Sequence, residues 1–176
     1  MADRAERAAR MALACVVEAG DLRIRERLRA EGAEAVWASV RASTTDDAWS
    51  RRAALVDLTS VESLARRHGL RFVVPSDPEW PSALADLDGS EPVQQWGGAP
   101  LGLWVKGSAS LAELAADAVA VVGCRASTAY GERVATELAA GLAEGGTTVV
   151  SGGAFGIDAA AHRGALAADG PTLAVM

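Results

Sequence analysis

Aromatic side chains are scarce in this 176-residue chain, at 5% of the total, although half of its residues are apolar and supply material for a core. Alanine is heavily used, which favours helix on propensity. An excess of positive charge is also missing: the formal charge is -6 and the isoelectric point lies near 4.9. That argues against a broad cationic surface of the kind that neutralises many phosphates. Cysteine occurs only at Cys15 and Cys124, far apart and without metal-ligand spacing, which disfavours a disulfide framework or a zinc site and fits a reducing cytosol. Residues 1–20 interrupt their apolar positions with Asp3, Glu6 and Glu18 and make a poor secretory signal. No uninterrupted apolar run approaches the roughly 18 residues of a membrane span. These absences lead to the expectation of a cytoplasmic, helix-rich α/β protein with no membrane contact, metal or cofactor.

The charge that is present is unevenly spread. Up to Arg71 there are 13 basic and 11 acidic residues; from Phe72 onward there are 4 and 12. Any anion site in the second part must therefore use few side chains and much backbone. The first seventy residues read as short helices. Leu13, Val16 and Val17 form one apolar stripe, and Leu22, Ile24 and Leu28 another, with Arg23, Arg25, Arg27 and Arg29 on its other faces. Such an arginine-rich helix is either a nucleic-acid contact or, more commonly, a solvated face. Val36, Trp37 and Val40 mark a third helix, Asp46 and Asp47 stand where they can cap a fourth, and Leu58 to Ala65 carry a fifth that breaks at Gly69. Residues 71–117 mix two short strands, at 71–74 and 101–105, with turns.

From Ala118 the pattern changes to alternating strands and helices. The apolar run Ala118–Val122 suits a strand buried on both faces of a parallel sheet. Thr128 to Glu144 reads as a helix whose Val134, Leu138 and Leu142 face the sheet. Strand Thr147–Val150, a helix with Ile157, Ala161 and Ala165 on one face, and strand Thr172–Val175 follow. The fold class expected is α/β: a partial Rossmann-like parallel sheet over residues 71–176, preceded by a small all-α domain over residues 1–70. Three strands rarely close such a core, so a fragment of a longer protein is expected, with a small complete domain as the alternative.

Two loops at the carboxyl ends of strands are the candidate sites, because ligands bind there in open α/β sheets. In Gly123-Cys-Arg-Ala-Ser-Thr128, Gly123 allows close approach to the backbone, Ser127 or Thr128 can cap the following helix, and Arg125 is a fixed cation suited to phosphate. In Ser151-Gly-Gly-Ala-Phe-Gly156, Ser151, Gly152, Gly153 and Gly156 give a loop whose amides can converge on an oxyanion at a helix N-terminus. The loop matches neither G-x-G-x-x-G nor a P-loop. Phe155 either stacks on a base or tucks into the core. Asp158 and His162, one turn apart, are expected to support the loop by pairing with each other, and Arg163 reaches either a phosphate or a surface carboxylate. No nucleophile stands in a recognisable setting, so no catalytic residue is expected.

The run Ser151 to Leu166, together with Val121-Val-Gly-Cys-Arg125, Thr128-Ala-Tyr-Gly131, Trp80-Pro81 and Leu103-Trp-Val-Lys-Gly107, resembles the DprA/Smf DNA-processing family. The resemblance is strong from about Arg71 onward and weak over the helices, where many members carry a sterile-alpha-motif-like domain. It implies an extended Rossmann fold that dimerises in the full-length protein, binds single-stranded DNA and loads a RecA-type recombinase during natural transformation, without enzymatic activity. It further implies that Arg125 contacts phosphate and that the Ser151–Gly156 loop holds one through main-chain donors. The chain departs from the family pattern at Gly153, at Phe155 where a cation is usual, and at Cys124. The alternatives weighed from the residues are a phosphoribohydrolase-type enzyme of related fold and a small-nucleotide sensor.

Overall fold

The computed structural model describes residues 3–176. The chain forms two compact units, Met1–Ser108 and Ala109–Met176.

In the first unit, aspartates start four of the five helices. Asp3, Asp21, Asp47 and Asp57 each accept a backbone N–H at the N-terminus of α1 (Arg4–Ala14), α2 (Leu22–Glu31), α4 (Ala48–Ala53) and α5 (Leu58–Arg67); α3 (Ala33–Ala42) follows directly on Gly32. Each such cap satisfies a donor that the helix itself leaves free. Leu13, Val16, Val17, Ile24, Val36, Val40 and Ala53 form the core. Strands β1 (Leu70–Val73) and β2 (Leu103–Lys106) pair antiparallel. Phe72 and Val74 pack on Met11 of α1, with Leu58 and Val61 of α5 beside them. Arg7 of α1 adds a two-pronged contact to Asp77 at 2.6 Å on each arm. The compact unit thus runs past Leu70 to Ser108, because one side of β1 is covered by helices.

The arginines of α2 are occupied within this unit. Arg25 and Arg29 both reach Asp88, Arg27 pairs with Glu31, and Arg23 pairs with Asp21 while lying 4.5 Å from the Trp49 ring centroid. The helix does not extend a bare cationic face, and the Arg23 and Arg29 side chains, more than half exposed, keep their charges in solvent while pairing with carboxylates.

The second unit opens with α6 (Leu111–Ala116). Strands β3 (Ala118–Ala120), β4 (Thr148–Ser151) and β5 (Thr172–Ala174) then form a parallel sheet in that order, joined through α7 (Ala129–Glu144) and α8 (Ile157–Ala167). Both helices pack on β4 and against each other. Two expectations fail here. Strand β3 is exposed along its length, with Val119 39% exposed, because α7 and α8 pack over β4 and leave this edge strand largely uncovered on its faces. On α7 the buried residues are Ala135, Ala139 and Ala143, whereas Val134 and Leu138 are 41% and 54% exposed. The reason is the closeness of the helices. A methyl on Gly164 would collide with the Thr136 backbone carbonyl, so only alanine-sized groups fit in the seam. Among the described residues no helix is long and apolar enough to cross a membrane.

Candidate functional site

The loops after β3 and β4 lie side by side within the second unit. The Ile157 amide donates to the Cys124 carbonyl at 3.3 Å. Gly123 is pressed against Ile157, whose Cγ1 lies 2.6 Å from where a methyl on Gly123 would sit. Its bare backbone therefore admits the neighbouring helix, where the sequence suggested a ligand. Gly156 has φ +80° and faces the carbonyl oxygens of Cys124 and Arg125; a methyl on Gly156 would stand 2.6 Å from the oxygen of Arg125. The two glycines lock one loop to the other.

Several polar side chains expected at the site are committed to holding it. Ser151 is buried and donates its hydroxyl to the Val121 carbonyl at 2.6 Å. Thr128 caps α7, accepting from the Gly131 amide at 3.1 Å. Ser127 donates to Glu132 at 2.8 Å, and Arg163 pairs with the same carboxylate at 3.1 Å. Glu132 is the residue that sequence reasoning missed. Its position in the first turn of α7, five residues after Ser127, was the available signal.

The expected pairing of Asp158 with His162 does not form. His162 instead contacts the Gly152 carbonyl through Nε2 at 3.0 Å and the Thr172 hydroxyl through Nδ1 at 2.7 Å. Two better-placed partners, a carbonyl and a hydroxyl, hold the ring away from the carboxylate. Asp158 is 8% exposed, and its side chain accepts no hydrogen bond from the described residues. Its Oδ2 lies 2.6 Å from where a methyl on Gly152 would be.

What remains open is backbone and two side chains. The amides of Gly152 to Gly156 have no acceptor among the described residues, and neither do those of Gly123 to Ser127. Gly156 is buried even so, at the N-terminus of α8. Free N–H groups at a helix start favour an anion. Gly153 is exposed and borders Met176. Phe155 is 84% exposed, so its ring is not in the core. Of the three arginines in the second unit, Arg133 pairs with Glu137 and Arg163 with Glu132. Arg125 is exposed, with neither a hydrogen bond nor an ion pair to the described residues. No cluster of metal-binding side chains occurs among the described residues.

A family model described as DNA recombination-mediator protein A matches residues 71–176. A DNA processing protein, DprA, of Mycobacterium tuberculosis (strain ATCC 25618 / H37Rv) is 54% identical over 118 residues, covering 66% of this chain and 30% of that protein. Protein Smf of Escherichia coli (strain K12) is 38% identical over 106 residues, covering 59% of this chain and 25% of that protein. The chain spans less than a third of the length of these curated relatives. Among solved structures, the X-ray structure of DNA processing protein A (DprA) from Streptococcus pneumoniae matches with a TM-score of 0.63 at 24% identity, over 99% of this chain and 58% of that one. That likeness concerns the fold, and it agrees with a Rossmann-like α/β architecture.

Proposed function

The chain belongs to the DNA recombination-mediator protein A family, and on that premise we propose that the paired loops after β3 and β4 grip the sugar-phosphate backbone of single-stranded DNA. The observation that carries this reading is the run of amides from Gly152 to Gly156, which have no acceptor among the described residues, together with the exposed Arg125, whose guanidinium has no partner among them. Amides at a helix start bind an oxyanion without net charge on the protein, which suits an acidic chain. Arg125 supplies an exposed cation, and the exposed Phe155 ring offers a base a stacking face in place of the cation usual in the family. Ser151, Ser127 and Arg163 support the loops instead of touching the strand. In this reading the protein catalyses no step. It holds a strand in the cytoplasm and, as a homodimer in its full-length form, passes it to a RecA-type recombinase.

Fluorescence anisotropy with oligo-dT tests the reading. Arg125→Ala is expected to weaken binding by about 1–3 kcal/mol, as for a charge-assisted contact. It should also reduce the slope of log affinity against log salt by about 0.7, the share of one phosphate on a single strand. A folded variant with unchanged affinity and slope would remove Arg125 from the site. Release of ribose phosphate from a nucleoside monophosphate would favour a phosphoribohydrolase instead.

A further inference from the structure

We propose that a second copy of this chain, with or without bound DNA, docks on the open edge of β3 and the exposed stripe of α7, joining two sheets into one. In a parallel ladder the residues that bond to the neighbour alternate with those that face away. The Asp117 carbonyl accepts from the Thr148 amide, and the Val121 amide donates to the Val150 carbonyl. The N–H and C=O groups of Ala118, Ala120 and Val122 therefore point to the open side, where they have no partner among the described residues. Exposed edges are commonly guarded by a charge, a proline or a bulge. Residues 118–122, Ala-Val-Ala-Val-Val, contain no charge and no proline, and their register with β4 is regular. Val122 is 73% exposed. The other edge strand, β5, starts directly after Pro171, and its neighbour α8 exposes a single large apolar residue, Leu166.

Helix α7 extends the same surface. The Thr136 hydroxyl donates to the Ala160 carbonyl of α8. Val134 and Leu138 stand two residues to either side of Thr136, about half a turn round the helix, and so face away from α8 toward the open edge of β3. With Tyr130 and Gly141 they form one exposed line. Arg133 and Glu137 run along its flank, both well exposed and 3.8 Å apart. This line is complementary to itself run backwards. A two-fold axis between the Ala120 residues sets β3 antiparallel to its copy, with Ala118 opposite Val122, and keeps both α7 helices on one face of the joined sheet. Val119 shares the helix-side face with the buried Val121 and Val149, and it then lies opposite Val121 of the second copy. Across the axis Val134 meets Leu138, Arg133 meets Glu137, and Tyr130 reaches Gly141, beside which a methyl finds open space. With strands about 4.8 Å apart, helices that flank the seam stand on the order of 10 Å apart, within reach of tyrosine, leucine, arginine and glutamate side chains. A second copy supplies both the unpaired strand and the reversed order of charges. The loops after β3 and β4 stay open at the ends of the joined sheet.

Sedimentation velocity of the whole chain tests this. It should show a monomer–dimer equilibrium, largely dimer at about 100 µM and monomer at about 1 µM, as for an interface near the small end of specific ones. Amide exchange should find Ala118, Ala120 and Val122 protected at the high concentration and released on dilution. Ala120→Pro removes a donor that β4 does not use, so the fold should hold while dimer affinity falls about tenfold or more. Exchange of charge gives a second reading. Arg133→Glu and Glu137→Arg should each weaken self-association about three- to tenfold, while an equimolar mixture of the two variants associates as tightly as wild type. A chain that stays monomeric at the high concentration overturns the proposal, and so does protection of the three amides that does not change on dilution. A dimer indifferent to Ala120→Pro and to both charge variants has its interface elsewhere and equally refutes it. Should Ala120→Pro not fold, the mixture decides, and failure of the two charge variants to associate preferentially removes α7 from the interface. Oligo-dT is absent throughout, so these outcomes stand apart from whether the chain binds a strand.

Discussion

Replacing Gly156 by alanine puts the join between the two loops under direct strain. The residue sits at φ +80° and ψ -126°, a conformation that side chains with a Cβ rarely adopt. Holding alanine there costs about 1–3 kcal/mol. The new methyl would also press on two carbonyl oxygens, with that of Arg125 at 2.6 Å, where ordinary contact begins at 3.4 Å. The loop after β3 must then retreat by most of an ångström and give up the Ile157-to-Cys124 hydrogen bond, a further loss of about 0.5–1.5 kcal/mol. The expected total is about 1.5–4.5 kcal/mol, a large part of the 5–15 kcal/mol typical of whole domains. Urea unfolding followed by far-ultraviolet circular dichroism measures it. Tryptophan fluorescence is an internal reference, since all five tryptophans lie before Ser108. Gly141→Ala is the control: a methyl there meets nothing, so the variant should gain about 0.5–1 kcal/mol. If Gly156→Ala stays within about 0.5 kcal/mol of wild type while the control behaves as stated, the argument from backbone geometry is wrong.

Other substitutions probe the remaining parts. Glu132→Gln frees Arg163 from its 3.1 Å partner, and oligo-dT affinity should rise about two- to fivefold, in keeping with a weak exposed pair; weaker binding would show that Glu132 matters more as the anchor of Ser127. Phe155→Leu removes the ring but keeps an apolar side chain at an exposed position. Strand affinity should fall by about 1 kcal/mol or more with the melting temperature unchanged, and equal affinity would exclude stacking. Asp47, held by the Thr45 hydroxyl and the Ser50 amide, has its pKa lowered from 3.8 to about 2. A depressed carboxylate stabilises the fold above its unfolded value, and that contribution fades as pH drops from 3.8 toward 2. Asp47→Asn keeps the cap and should flatten that stretch of the stability curve, read by the tryptophan fluorescence of the first unit; coincident wild-type and variant curves would refute the assignment.

The alternation of strands and helices was legible because glycine pairs and caps punctuate it, as at Gly145-Gly146 and Thr128. The facing of those elements was not. Hydrophobicity pointed Val134 and Leu138 inward, but the crossing of α7 and α8 is so close that volume outranks apolarity. The division after Leu70 coincides with the start of the family match at residue 71, whereas the compact unit extends to Ser108, because Phe72 packs on α1. Within the site, Arg125 and the glycine loop were readable from position along the chain. The partners of Ser127, His162 and Arg163 were not, since Glu132, Gly152 and Thr172 are brought to them by the packing of the second unit.

The alanine-lined seam between α7 and α8 reverses the usual relation between side-chain size and tolerance of change. In a saturation library of the second unit, Ala139, Ala160, Ala161 and Gly164 should accept almost nothing larger than themselves. The bulkier Tyr130, Val134 and Leu138 should exchange freely with polar residues as far as folding is concerned. Selection against variation at those three larger positions would then report on something other than the stability of this unit.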